Sequence, residues 1–246
     1  MKDMNSRHNG ALSSLPQSKE PLLNAPPVVV ILIMFCFIIY FIPWYFFSSQ
    51  LYAKSFVFFS FIPAFFKDDP SAFFYTAVSY SFVHGSFGHI AINMVWLLAF
   101  GSPLAKRFGT LLFLFFWVFT AVISALTYFA FHQDSLMPLV GASGAISGMM
   151  GAVARYDFSH GYFSFDKQSG GGVGSLQPIR KALCSRTVPV YISAWLIVNF
   201  ITATLPPLFG EEGALIAWEA HVGGFISGFL LIGFFDTLLR KLKIII

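Results

Sequence analysis

Long apolar runs separated by short breaks rich in glycine, proline or charge dominate this chain. From Val28 to Phe47 the sequence is apolar throughout, and at about 1.5 Å per helical residue such a run crosses the roughly 30 Å of bilayer hydrocarbon. It is too long for the core of a signal peptide and no small-residue cleavage site follows, which predicts a retained anchor. The next run, Ser55 to Phe66, is equally apolar, but as a helix it reaches only about 18 Å. It carries Pro63 and is bracketed by Lys54 and Lys67, so it is expected to lie in the membrane interface. Further spans are expected over Ile90 to Gly101 with its flanks, Leu111 to Phe131, the short glycine-rich Ser143 to Ala154, Val188 to Leu205, and Ala214 to Leu239. Counted with the first run, they make a bundle of six transmembrane helices.

Composition strengthens this reading. Only 11% of the 246 residues are charged and 57% are hydrophobic, whereas soluble domains are about a quarter charged. The 32 phenylalanines suit lipid-facing surfaces and interfacial belts. Cys36 and Cys184 lie in separate segments, with no disulfide framework indicated. A net charge of +4 does not signal nucleic acid, because the basic residues stand at the ends of apolar runs rather than in a stripe. With the N-terminus inside, only Lys54 and Lys67 of all the lysines and arginines fall outside, together with Asp68, Asp69, Asp134, Glu211 and Glu212. The positive-inside rule therefore predicts an N-in, C-in, all-α membrane protein.

The domain layout follows. Residues 1–27, polar and rich in Ser, Asn and Pro, read as a disordered cytoplasmic tail. The membrane domain covers 28–239, with an interfacial loop at 48–88 and a flexible cytoplasmic loop at 155–187 that holds the linker-like run Ser169 to Ser175. Residues 240–246 form a basic cytoplasmic tail. No internal repeat stands out, which weighs against an inverted-repeat transporter.

Polar residues inside apolar runs then become conspicuous, since each is expensive to keep in hydrocarbon. His84, His89 and Asn93 open the second span, Ser143 the fourth, and His221 the sixth, about eight residues below Gly213. In the predicted topology these three spans run in the same direction, so their polar residues sit at similar depth. Gly144 and Gly148, like Gly224 and Gly228, are four apart and make faces that let two helices approach closely. Such contact would bring Ser143 and His221 within hydrogen-bond reach. His89 and Asn93, four apart, share one helical face and offer N–H donors of the kind an oxyanion needs. Each residue alone fits helix packing better than catalysis; their convergence favours a site. His84 and His89, five apart with no glutamate between them, do not have zinc-site spacing, and no cofactor is indicated.

His84-Gly85-Ser86-Phe87-Gly88-His89 with Asn93, then Gly141-Ala142-Ser143-Gly144, then Ala220-His221-Val222-Gly223-Gly224 with Gly228, resemble the signature motifs of rhomboid intramembrane serine proteases. The resemblance covers roughly Tyr75 to Asp236. It implies a serine endopeptidase with a Ser-His dyad and no acidic third member: Ser143 as nucleophile, His221 as general base and acid, and an oxyanion hole from His89, Asn93 and the Ser143 backbone N–H. It further implies that the partners are the lipid bilayer and transmembrane protein substrates cut near the outer face, in a bacterial inner membrane. Tyr75-Thr76 replaces the Trp-Arg pair of many bacterial members, and Ser147 stands where many carry an aromatic that stacks on the base. Nothing in the sequence fixes an oligomeric state. Two other classes fit parts of the pattern. A rhomboid-like pseudoenzyme that binds or escorts membrane clients would lack the serine or the histidine, and both are present. A small transporter would need charged pathway residues, which the spans lack.

Overall fold

The computed structural model describes residues 25–156, 174–204 and 217–245. The expectations for residues 1–24, for the glycine-rich run up to Val173 and for the approach to the last span at 205–216 lie outside the described residues. What is described is helical apart from turns, loops and two isolated bridges.

Helix α1 (Pro27–Phe46) starts on a proline at its first position, where the missing N–H would have had no helical partner. Many of its side chains, including Ile31, Met34, Phe35 and Ile38, are exposed. Large apolar side chains are exposed in the same way on the later spans, Leu111 and Phe234 among them. Only lipid makes so much bare apolar surface favourable, so the chain is an integral membrane protein.

The run expected at the membrane interface is two helices rather than a single stretch. Ser48 caps α2 (Ser49–Phe59), accepting the Leu51 N–H at 3.3 Å. The chain is extended at Ile62 and restarts as α3 (Pro63–Asp68). Pro63 lacks the N–H that would continue α2 and pushes the residue before it out of the helical region. The interruption is used: Phe61 exchanges backbone hydrogen bonds with Leu139 at 3.1 and 2.9 Å, joining the interfacial segment to the loop that leads to Ser143. Two short turns follow, α4 (Pro70–Phe73) and α5 (Thr76–Ser79). Here Tyr75 and Ser79 donate their hydroxyls to the carbonyls of Phe58 and Phe59 at 2.9 and 2.8 Å. At the Tyr75-Thr76 departure, therefore, the loop is anchored by hydroxyls on the end of α2.

Helix α6 (Phe87–Trp96) runs through a π-helical turn at Leu97–Gly101 into α7 (Ser102–Phe131). The path breaks only at Gly109, whose φ is 72° and ψ 174°. A Cβ there would meet nothing within 4 Å, so backbone conformation alone selects glycine. Residues 87–108 and 110–131 are thus two helical arms that meet at this turn, with the Phe108 and Phe116 rings 6.1 Å apart.

Helix α8 (Ser143–Val153) is the central post, with nearly every residue buried. Past it, Tyr156 bridges to Leu176 and a short α9 (Ile179–Leu183) gives the predicted flexible loop some ordered structure. Helix α10 (Thr187–Thr204) and helix α11 (Trp218–Ile245) complete the set. Two boundaries differ from expectation. His221 stands in the first turn of α11, not some eight residues down it, and the helix expected to end at Leu239 continues through Ile245, with Arg240 paired to Asp236 at 3.1 Å one turn back. Arg107 Nε also reaches Asp236, at 2.7 Å. The buried Arg155 donates to the Phe229 carbonyl at 2.8 Å and twice to that of Gln177. At the opposite end of the bundle, Lys67 pairs with Asp134 at 2.7 Å and His132 with Glu219 at 3.0 Å.

The glycine faces pack as their spacing predicts. A Cβ on Gly224 would overlap the Gly144 carbonyl oxygen, one on Gly228 that of Gly148, and one on Gly151 that of Phe225. Helices α8 and α11 therefore touch backbone to backbone, and this contact fixes where their first residues meet.

Candidate active site

Ser143 opens α8 and His221 lies in the first turn of α11, so the glycine contact between these helices brings both side chains to the same end. His221 Nε2 is 2.8 Å from Ser143 Oγ. Ser124 on α7 donates to the Ala220 carbonyl at 2.8 Å, and it is also the side chain that a Cβ on Gly144 or Gly224 would strike. It thus sits at the junction of the three helices, immediately beside the residue preceding His221.

The turn before Ser143 is held from the 80–84 segment. Gly141 has φ 107° and its N–H donates to the Tyr80 carbonyl at 3.0 Å. The buried Tyr80 in turn donates its hydroxyl to the Ala121 carbonyl at 2.9 Å. His84 is buried, with Nδ1 3.2 Å from the Phe82 carbonyl and Nε2 3.4 Å from the Ala142 N–H. A carbonyl only accepts, so Nδ1 carries the proton and Nε2 accepts. His84 thereby ties the 80–84 segment to the turn before Ser143.

His89 is in the first turn of α6, its own N–H bonded to the Ser86 cap at 3.1 Å. Its ring faces the serine turn: a Cβ on Gly141 would stand 2.7 Å from His89 Nε2 and 3.7 Å from Ser143 Oγ. Asn93 is buried one turn further along α6 and donates Nδ2 to the His89 carbonyl at 2.9 Å. That bond takes one of its two amide N–H groups. Above Ser143, the first N–H groups of α8 have no partner within the helix and leave the local field favourable to negative charge.

Asn199 on α10 also belongs here: its Oδ1 is 2.6 Å from His221 Nδ1. Nothing in its local sequence pattern points to residue 221. Ser124 and Tyr80 were likewise invisible as site residues, Ser124 being one hydroxyl in a largely apolar run and Tyr80 one of several hydroxyls between Tyr75 and Ser81. Ser147 is buried, and one helical turn below His221 the rings of Trp195 and Phe225 stack with centroids 4.4 Å apart. Glu219 lies in the first turn of α11, where an acid suits the helix start, and bonds His132. Among the described residues no group of three His, Cys, Asp or Glu is arranged to hold a metal ion.

Comparison with known proteins identifies the family. A family model for the rhomboid domain matches residues 72–236. The Rhomboid protease GlpG of Haemophilus influenzae is 27% identical over 225 residues, covering 91% of this chain and 97% of its own length. The Rhomboid protease GlpG of Serratia proteamaculans is 32% identical over 161 residues, 65% of this chain and 47% of its own length. That of Yersinia pestis is 29% identical over 160 residues, with the same coverage. The chain thus spans nearly all of the first relative and about half the length of the other two. With a match that takes in well over half of its residues, and every helix that meets at Ser143 and His221, the chain belongs to the rhomboid family.

Proposed function

We propose that this protein is an intramembrane serine endopeptidase that cuts transmembrane segments of other membrane proteins near their outer ends. The observation that carries the reading is the 2.8 Å contact between Ser143 Oγ and His221 Nε2 inside an apolar bundle. A serine hydroxyl is a weak nucleophile until a base takes its proton. His221 Nε2 accepts that proton as Oγ attacks the scissile carbonyl carbon, and the carbonyl π electrons move onto oxygen. The resulting oxyanion is met by the Ser143 backbone N–H, the His89 ring N–H and the amide of Asn93, a donor set in a dry surrounding where such bonds count most. When the intermediate collapses, the C–N bond breaks and His221 gives its proton to the leaving amine. Water then hydrolyses the acyl-enzyme by the same route.

In this reading the chain crosses the bilayer six times, with both termini in the cytoplasm, and resides in a bacterial inner membrane. The reacting pair lies toward the outer face, so hydrolytic water arrives from outside. The interfacial α2–α3 segment and α10 border the side from which a substrate helix arrives. An inactive client-binding role is not favoured, because both reacting groups are retained and in contact.

The test is reaction of the purified protein with a serine-directed fluorophosphonate, in detergent and in lipid, beside cleavage of a reporter transmembrane substrate. Wild type is expected to be labelled and to cleave, and Ser143→Ala and His221→Ala to do neither. A wild type that stays unlabelled in both media ends the reading.

A further inference from the structure

Resting on the protease reading, we infer that Asn199 is the positioning residue of the general base, fixing which nitrogen of His221 carries the proton. The argument is a chain of directed hydrogen bonds. Asn199 Nδ2 is 2.8 Å from the Trp195 carbonyl, and because a carbonyl can only accept, the amide end facing it must be the N–H₂. That choice turns Oδ1, which also only accepts, toward His221 Nδ1 at 2.6 Å. Nδ1 must then hold the hydrogen. In a neutral imidazole the other nitrogen is bare, so Nε2 is left as the acceptor for the Ser143 hydroxyl 2.8 Å away. One backbone carbonyl on α10 thereby sets the tautomer of the base on α11 and the direction of the serine O–H on α8.

The register of the two helices supports this assignment. Asn199 lies four residues after Trp195, and Phe225 four residues after His221. Antiparallel α10 and α11 are therefore joined by two successive rungs, the Trp195–Phe225 ring stack and the Asn199–His221 bond. The lower rung holds the upper one in place. An amide also suits this depth better than a carboxylate would. It orients imidazole without placing a charge in the membrane, as asparagine does for histidine in the Cys-His-Asn proteases.

The decisive measurement is long-range ¹H–¹⁵N NMR of histidine-labelled protein in micelles, with the His221 signals assigned by their loss in His221→Ala. Wild type is expected to show Nδ1 protonated and Nε2 bare, and Asn199→Ala to lose that single-tautomer signature. In turnover assays Asn199→Ala should lower kcat about ten-fold, the worth of one hydrogen bond, with KM unchanged, and Asn199→Asp should restore part of it by supplying an acceptor. A wild-type His221 protonated on Nε2 overturns the assignment. So does an Asn199→Ala protein with undiminished kcat, or one changed in KM alone. If wild type neither cleaves nor reacts with fluorophosphonate, the protease reading falls, while the tautomer still decides the role of Asn199.

Discussion

Gly141 stands against both His89 and Ser143 in the proposed site. Its φ of 107° is a conformation that L side chains rarely adopt, and a methyl group there would stand 2.7 Å from His89 Nε2. Gly141→Ala is therefore expected to displace the His89 ring and cut kcat/KM by about 10²-fold, comparable to losing one oxyanion donor. The protein should still fold and its Ser143 should remain labelled, only more slowly; fluorophosphonate labelling rates beside peptide-bond cleavage give the measurement. At this scale the residues that stand out in sequence are those whose chemistry is out of place in hydrocarbon. Ser143 and His221 could be paired because each is polar beside a glycine face. Asn199 could not be paired in the same way, because its partnership depends on the register between two helices that no local pattern encodes. Nor does sequence give the direction of the Asn93 amide, one N–H of which turns back to the His89 carbonyl.

Among the elements, α8 and α11 set the stability of the site, since they meet at glycine carbonyls. Gly228→Ala places a methyl group on the Gly148 carbonyl oxygen, and the helices must part to admit it. A loss of about 1–3 kcal/mol is expected, the usual cost of overpacking. Gly233→Ala is the control: its added carbon would lie 3.8 Å from Leu176 Cδ2, an ordinary contact. Unfolding in denaturant, followed in micelles, separates the two. Helix positions were legible because runs of apolar residues report burial in lipid or protein directly. Their ends were less so. Hydropathy carries no signal for the interruption at Ser60–Ile62, which needs the stereochemistry of Pro63, or for the continuation of α11 through charged residues, which needs the pairing of Asp236 with Arg107 and Arg240.

For the molecule as a whole, the distribution of charge makes a prediction about sidedness. The Lys67–Asp134 pair and the Arg107–Asp236–Arg240 cluster mark opposite ends of the bundle, and the positive-inside rule assigns the arginine-rich end to the cytoplasm. In a Cys184→Ser background, Asp134→Cys is expected to react with a membrane-impermeant maleimide in intact cells and Lys241→Cys only after permeabilisation. The reverse pattern would invert the proposed orientation. Gly109 carries a further consequence for how this architecture is reached. Because one left-handed residue is all that separates 87–108 from 110–131, the charges nearest the turn, Lys106 and Arg107, belong to the last helical turn of the first arm. In the proposed orientation the two arms are expected to enter the bilayer as a hairpin whose turn these two cations hold at the cytoplasmic surface.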